Sequence, residues 1–243
     1  MIVSTADGYV TTIELAREAK RNALDYDMLR DLSQAFTVAV ESGARAIVLT
    51  GRGSVFSAGA DLSGPVYDPE FPEKLVAVIA QIESTPVPVI AAVNGPALGG
   101  GLQLAMAADL RVMAPGSIAG IPAAKIGVAL DEWTIKRLVS LVGGGQARGM
   151  LLGCDPLTAD RAYSLGFANR IGDLEDAKHW ADTIAEFAPL TLRHYKMVLT
   201  GDGARDEAPA DRHEAMLAAW MSEDVKEARA AREEKRAPNF QGR

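Results

Sequence analysis

The sequence predicts an α/β fold with parallel strand pairing. Short apolar runs suited to buried strands alternate with longer amphipathic runs suited to helices. From Glu132 onward the texture turns to helical patterns. At 243 residues and 48% hydrophobic, the chain can bury a substantial core, as one large domain or as a main domain with a small appendage.

The first strand reads over "GYVTTIEL" (8–15), which alternates weakly and is rich in branched residues. "DMLRDLSQAFTVAVESG" then sets Met28, Leu32, Ala35, Phe36, Ala39 and Val40 on one helical face and stops at Gly43. "ARAIVLTG" (44–51) reads as a second strand, and the proline- and glycine-rich "SGPVYDPEFPEK" (63–74) as a surface connection. "VPVIAAVNG" (87–95) and "DLRVMAPG" (109–116) read as buried strands on either side of a helix. Between Thr85 and Ala108 there is no charged residue, a length that suits a membrane span. Pro86, Pro88, Asn94, Gly95, Pro96 and Gly99 to Gly101 break it into strand, turn and helix. Beyond Glu132, "WTIKRLVSLVG", "ARGMLLG", "TADRAYSLG" and residues 174–236 read as helices, so the last third is expected to be all-helical, with a second loop at "GDGARDEAP" (201–209).

The net charge of −7 and the lack of a clustered basic surface argue against nucleic acid or an anionic membrane as the main ligand. Cys154 is the only cysteine, so no internal disulfide exists and CxxC zinc spacing is absent. With no basic segment and apolar run at the start, the expected compartment is the cytoplasm, and no metal or prosthetic group is expected.

"NGPALGGGLQLAMAADLRV" (94–112) puts three glycines directly before a helix. A helix mouth offers unpaired N–H groups and a partial positive charge, and glycine lets a ligand approach the backbone. The triplet alone fits a tight packing turn better than a ligand site, and it matches neither GxxxxGK[ST] nor GxGxxG. "GRGSVFSAGADLSG" (51–64) also follows a strand and brings Gly59 and Ala60 just past it. Two such turns can each direct one backbone N–H at a single carbonyl oxygen and stabilise an enolate.

With these stretches, "RNALDYDML", "IPAAKIGVALDEWTIKRL" (121–138), "LTADRAYSLGFANRI" (157–171) and "SEDVKEARAAREEKRAPNF" (222–240), the chain resembles the crotonase superfamily, the enoyl-CoA hydratase and isomerase family, along essentially its whole length. The resemblance implies a crotonase-type spiral of repeated ββα units over 1–185 and a helical C-terminal trimerisation region over 186–243, in homotrimers that commonly pair as a dimer of trimers. It implies a coenzyme A thioester as ligand, with its carbonyl oxygen between the backbone amides of Ala60 and Gly100. It further implies that backbone around Ala23, Ala58, Asp61 and Leu62 lines the CoA path and that Lys235 reaches CoA phosphates. Arg232 stands where an aromatic residue is usual.

The same resemblance places the two hydratase carboxylates at Gln103 and Ala123, where neither side chain titrates. General acid–base help contributes roughly two to four orders of magnitude per group, so ordinary hydration is expected to be slight. Asp131 in "ALDEW" is the remaining candidate acid, base or nucleophile, and it equally has the chemistry of a helix N-cap, with Glu132 suited to the first turn. His179, His194 and His213 fall in the helical C-terminal part and read as surface or packing residues, Cys154 as a small buried one, and Trp133, Trp180 and Trp220 as packing. The reading is an acyl-CoA-binding protein of fatty-acid or lipid metabolism. Its rivals are an acyl-CoA isomerase or hydratase using Asp131, and a structural subunit that binds no ligand.

Overall fold

The computed structural model describes residues 1–63, 70–201, 203–205, 217–218 and 220–241. The chain forms two compact units, one of residues 1–119 and 157–201, the other of 120–156 and 202–243.

The first unit is built on a sheet in the order β1-β2-β3-β4-β6-β9. β1 (Ile2–Asp7) and β2 (Val10–Leu15) pair antiparallel. β1 carries no apolar alternation, because Val3 to Asp7 are exposed, which is why the sequence reading starts only at residue 8. β3 (Ala46–Gly51) is buried at every position, so it reads as a continuous apolar run rather than an alternating one. It pairs parallel with β2 and with β4 (Val89–Val93), and β4 pairs parallel with β6 (Leu110–Met113). Arg170–Ile171 adds the short parallel strand β9, which corrects the all-helical reading of the last third. Two residues are too few to leave a periodic signal.

Helices cover this sheet. α1 (Tyr26–Glu41) starts where the Asp25 carboxylate accepts the Met28 N–H, and it buries Met28, Leu29, Leu32, Phe36 and Ala39. α2 (Glu70–Ser84) begins inside the stretch read as a loop to residue 74. Pro72 falls in its first turn, where the missing N–H costs nothing; residues 64–69 of that connection lie outside the described residues. The small side chains of Ala177, Ala181 and Ala185 let α7 (Leu174–Ala185) settle against Val10, Ala46, Val48, Ile90, Ala92 and Val112. The uncharged 85–108 stretch resolves into β4, the short β5 (Ala97–Leu98) and α3 (Gly100–Ala107). Among the described residues no helix is long and apolar enough to cross a membrane. A second, three-stranded sheet has the order β5-β7-β8, with β7 at Ile118–Gly120 and β8 at Leu157–Thr158, and α6 (Ala159–Ser164) follows β8.

In the second unit a 3-10 turn, Ala123–Ile126, precedes α4 (Glu132–Val142) and α5 (Gly144–Leu152). Trp133 and Leu138 are buried, and the Trp220 indole donates to the Ala129 carbonyl at 2.9 Å. The last helix, α9 (Glu223–Glu233), buries Val225, Ala228 and Ala231. His213 and most of the 201–209 loop lie outside the described residues.

In the first unit, α8 (Pro189–Thr200) is fastened by one buried cation. The Lys196 ammonium, 5% exposed, pairs with Asp109 at 2.8 Å and donates to the Ile82 and Val87 carbonyls at 3.1 Å each. Burial pushes its pKa below the usual lysine value, against the opposing pull of Asp109 and Glu83. Truncating one partner of such a pair strands the other charge. Lys196→Met is therefore expected to cost about 3–5 kcal/mol in denaturant unfolding, and the double variant Lys196→Met/Asp109→Asn to recover more than half of that.

Candidate functional site

α3 opens on the glycine triplet, and each glycine answers a different demand. Gly99, the N-cap, has φ 50° and ψ −120°, a conformation open in practice to glycine alone. A Cβ on Gly101 would lie 2.6 Å from both the Ser57 Cβ and the Ser57 carbonyl oxygen. A Cβ on Gly100 would sit 3.2 Å from Leu24 Cδ1, 3.3 Å from Leu75 Cδ2 and 3.6 Å from the Ala60 amide nitrogen. The mouth therefore packs tightly against the 57–60 turn.

That turn is held by a pair of backbone ladders. Leu24 bridges Ala60 in parallel fashion, its N–H donating to the Gly59 carbonyl and its carbonyl accepting from the Asp61 N–H, both at 2.8 Å. Ala60's own N–H consequently points away from Leu24. Ser57 bridges Ala97 in the same way, which ties the turn to the segment entering α3. Gly59 has φ 88°, and a Cβ there would lie 2.6 Å from the Leu98 carbonyl oxygen and 3.3 Å from the Gly100 nitrogen. The Ala60 and Gly100 amides are thus neighbours, and neither donates a hydrogen bond among the described residues. Gly100 is buried; a buried N–H without an acceptor is costly, so such a site favours an incoming oxygen.

The side chains around the turn form a charged brace. Arg17 pairs with Asp61 at 2.8 Å and with Asp25, the α1 cap, at 3.0 Å, and also donates to the Ala23 carbonyl at 3.0 Å. Burial alone raises the Asp61 pKa, but the Ser63 hydroxyl and amide and the Arg17 guanidinium outweigh it and bring it down to about 2. Asn22, fully buried with φ 53°, donates to the Arg52 and Val55 carbonyls, and its own carbonyl accepts from the Ser57 hydroxyl. Arg17, Asn22 and Asp25 carry no catalytic signature in sequence, since a polar run before a helix reads as solvated surface. Only the Asn-then-Asp spacing ahead of α1 hints at a cap and a left-handed turn.

The remaining candidates are placed as follows. Ala23 is buried, Ala58 and Leu62 are half-buried, and the Ala58 N–H donates to the Arg21 carbonyl, so all three belong to the same braced turn. Gln103 is buried on α3, one turn past the mouth. Ala123, Asp131 and Lys235 belong to the second unit. Ala123 starts the 3-10 turn and lines a cavity of about 530 Å³ with Leu130, Ile135, Val139, Ala147 and Leu151. Asp131 caps α4, with one carboxylate oxygen accepting the Thr134 N–H at 3.0 Å and the other the Thr134 hydroxyl at 2.6 Å. Lys235 and Arg232 are exposed, as are His179 and His194, and Cys154 is half-buried.

Fold and site together define a mixed α/β protein that presents two adjacent main-chain donors at the mouth of a buried helix. The enoyl-CoA hydratase/isomerase family profile matches residues 5–243. A probable enoyl-CoA hydratase echA6 of Mycobacterium bovis is 51% identical over 242 residues, covering 100% of both chains. A putative enoyl-CoA hydratase of Thermus thermophilus is 37% identical, covering 98% of this chain and 100% of that one. Among solved structures, a methylmalonyl-CoA decarboxylase in complex with 2-nitronate-propionyl-CoA matches with TM-score 0.91 at 29% identity, over 100% of this chain and 98% of that one. The chain belongs to the enoyl-CoA hydratase/isomerase family and has its crotonase fold.

Two stability measurements check this geometry. Gly101→Ala forces a methyl group against Ser57 and is expected to cost about 1–3 kcal/mol, whereas Gly116→Ala, on an exposed turn with open space around it, is expected to cost less, since only its backbone preference opposes the change. Asp61 has a folded pKa of about 2 against 3.8 unperturbed, so its ionised form contributes roughly 2 kcal/mol above pH 4. That contribution fades as pH falls through about 2. In urea unfolding, Asp61→Asn should be less stable than the parent at pH 6, with the gap narrowing below pH 4; a gap that does not change with pH contradicts the brace.

Proposed function

We propose that this protein binds acyl-CoA or enoyl-CoA thioesters in fatty-acid or related lipid metabolism, gripping the thioester carbonyl between the Ala60 and Gly100 amides with little ordinary hydratase activity. One observation carries the reading: the Ala60 N–H and the neighbouring Gly100 N–H, the latter buried at the positive end of a helix, donate no hydrogen bond among the described residues. The solved relatives in complex with CoA compounds support the ligand class. The groups at Gln103 and Ala123 hold no exchangeable acid, so the site stabilises negative charge on oxygen without moving protons to or from carbon. Such a protein holds, protects or delivers its thioester. Backbone near Ala23, Ala58, Asp61 and Leu62 lines the CoA path in this reading, and Lys235 meets CoA phosphates.

In the same reading the protein is cytoplasmic, residues 1–185 form the binding core and 186–243 assemble homotrimers, either alone or paired as a dimer of trimers. The exposed Leu190 and Met197, seven residues apart on one face of α8, support self-association, since neighbouring apolar side chains on an open helix face gain by being covered.

A rival reading gives Asp131 the proton transfer. Its place at a helix N-terminus, with both oxygens engaged by Thr134, favours capping. Calorimetric titration with butyryl-CoA and palmitoyl-CoA tests the binding: heat and a raised Tm are expected, and silence with both esters would leave only a structural role. Crotonyl-CoA turnover, followed by loss of enoyl absorbance, is expected to lie at least about a hundredfold below that of a two-glutamate hydratase, and Gln103→Glu with Ala123→Glu to raise it. Brisk turnover by the parent that Asp131→Asn abolishes, at unchanged CoA affinity, would overturn the carrier reading.

A further inference from the structure

Every residue of α3 is buried, so its dipole is poorly screened by water. Its far end rests on a buried cation. The Arg111 guanidinium, in a residue 3% exposed, donates to the Ala105 carbonyl at 3.2 Å and the Ala108 carbonyl at 2.7 Å, in the last turn and C-cap of α3. It also donates to the Asp109 and Phe167 carbonyls at 3.2 and 2.7 Å, and lies 5.2 Å from the centre of the Phe167 ring.

We infer that Arg111 is a positioning residue that strengthens the pull of the Gly100 amide on a carbonyl oxygen by placing a buried positive charge on the opposite end of the same helix. A cation at a helix C-terminus neutralises the negative pole, which otherwise offsets the positive one. The eight residues of α3 span about 12 Å. Over roughly that distance, at an effective dielectric of ~20, a full positive charge favours negative charge developing on the oxygen by roughly three- to tenfold. The carbonyl bonds also fix the end of α3, and hence the aim of its mouth. The inference rests on the reading that a thioester carbonyl sits at Gly100.

The two are tested together but fail separately. The probe is a CoA thioester of a para-dialkylamino cinnamic acid, whose absorption moves to longer wavelength when its carbonyl is polarised. Bound to the parent protein it should show a red-shift, and absence of any shift on binding counts against the Ala60–Gly100 site itself. With Arg111→Met the shift should shrink, and affinity for the polarised probe should fall three- to tenfold more than affinity for butyryl-CoA. Arg111→Lys, which keeps the charge, should restore most of both. An undiminished shift in a folded Arg111→Met, or equal loss in the Met and Lys variants, overturns the inference. If Arg111→Met does not fold, Asn169→Asp decides. Asn169 is exposed and its side-chain oxygen accepts the Arg111 N–H at 2.8 Å, so an added carboxylate there opposes the guanidinium at little structural cost. At low ionic strength a smaller shift supports the inference, and an unchanged one overturns it.

Discussion

The site depends on the close approach of two backbones, the 57–60 turn and the mouth of α3, which side chains at Gly59 and Gly101 would prevent. A Cβ at either position would come within 2.6 Å of main-chain atoms across the gap, well inside van der Waals contact. Because nothing stands there, the Ala60 and Gly100 amides become neighbours. Because Leu24 occupies the other edge of the turn, the Ala60 N–H is left to face away from it. Main-chain donors held this way need no reorganisation when an oxygen arrives, the condition under which such donors act most strongly.

The rest of the first unit holds that approach fixed. Arg17 links the turn to the cap of α1 through Asp61 and Asp25, and Asn22 ties it to the end of β3. Asp109, just beyond α3, is pinned by Lys196 and by the Val89 N–H, while Arg111 seats the final carbonyls of the helix. The polar groups are buried in places where only charge-assisted bonds offset their desolvation. α3 is therefore tied at both ends.

The parallel strands β2, β3, β4 and β6 and the amphipathic α1 were legible in sequence because branched runs and a 3.6-residue apolar period are strong local signals. β1 was not, since Val3 to Asp7 are all exposed and polar and apolar residues mix there without alternation, and α2 was not read, its start being hidden by Pro72, which reads as a loop marker although a helix tolerates it in the first turn. In the site, the glycine triplet and the "SAGAD" turn stood out, and resemblance assigned Ala60 and Gly100. The brace could not be read, because Arg17 holds a partner 44 residues away and Asn22 holds partners 35 and 30 residues away, while Asp25 joins it only through Arg17. Asp131 was legible as a cap for the opposite reason: its partner, Thr134, is three residues on.

What the site retains and what it lacks point the same way. Two adjacent main-chain donors are present at Ala60 and Gly100, and the positions that resemblance assigns to proton transfer hold an amide and a methyl group. The most direct measurement of the central claim is the infrared stretch of a 13C-labelled thioester carbonyl in butyryl-CoA bound to the protein. Two main-chain hydrogen bonds should lower its frequency below that of the same ester in water. A bound carbonyl at the aqueous frequency or above it would mean that Ala60 and Gly100 do not hold the oxygen.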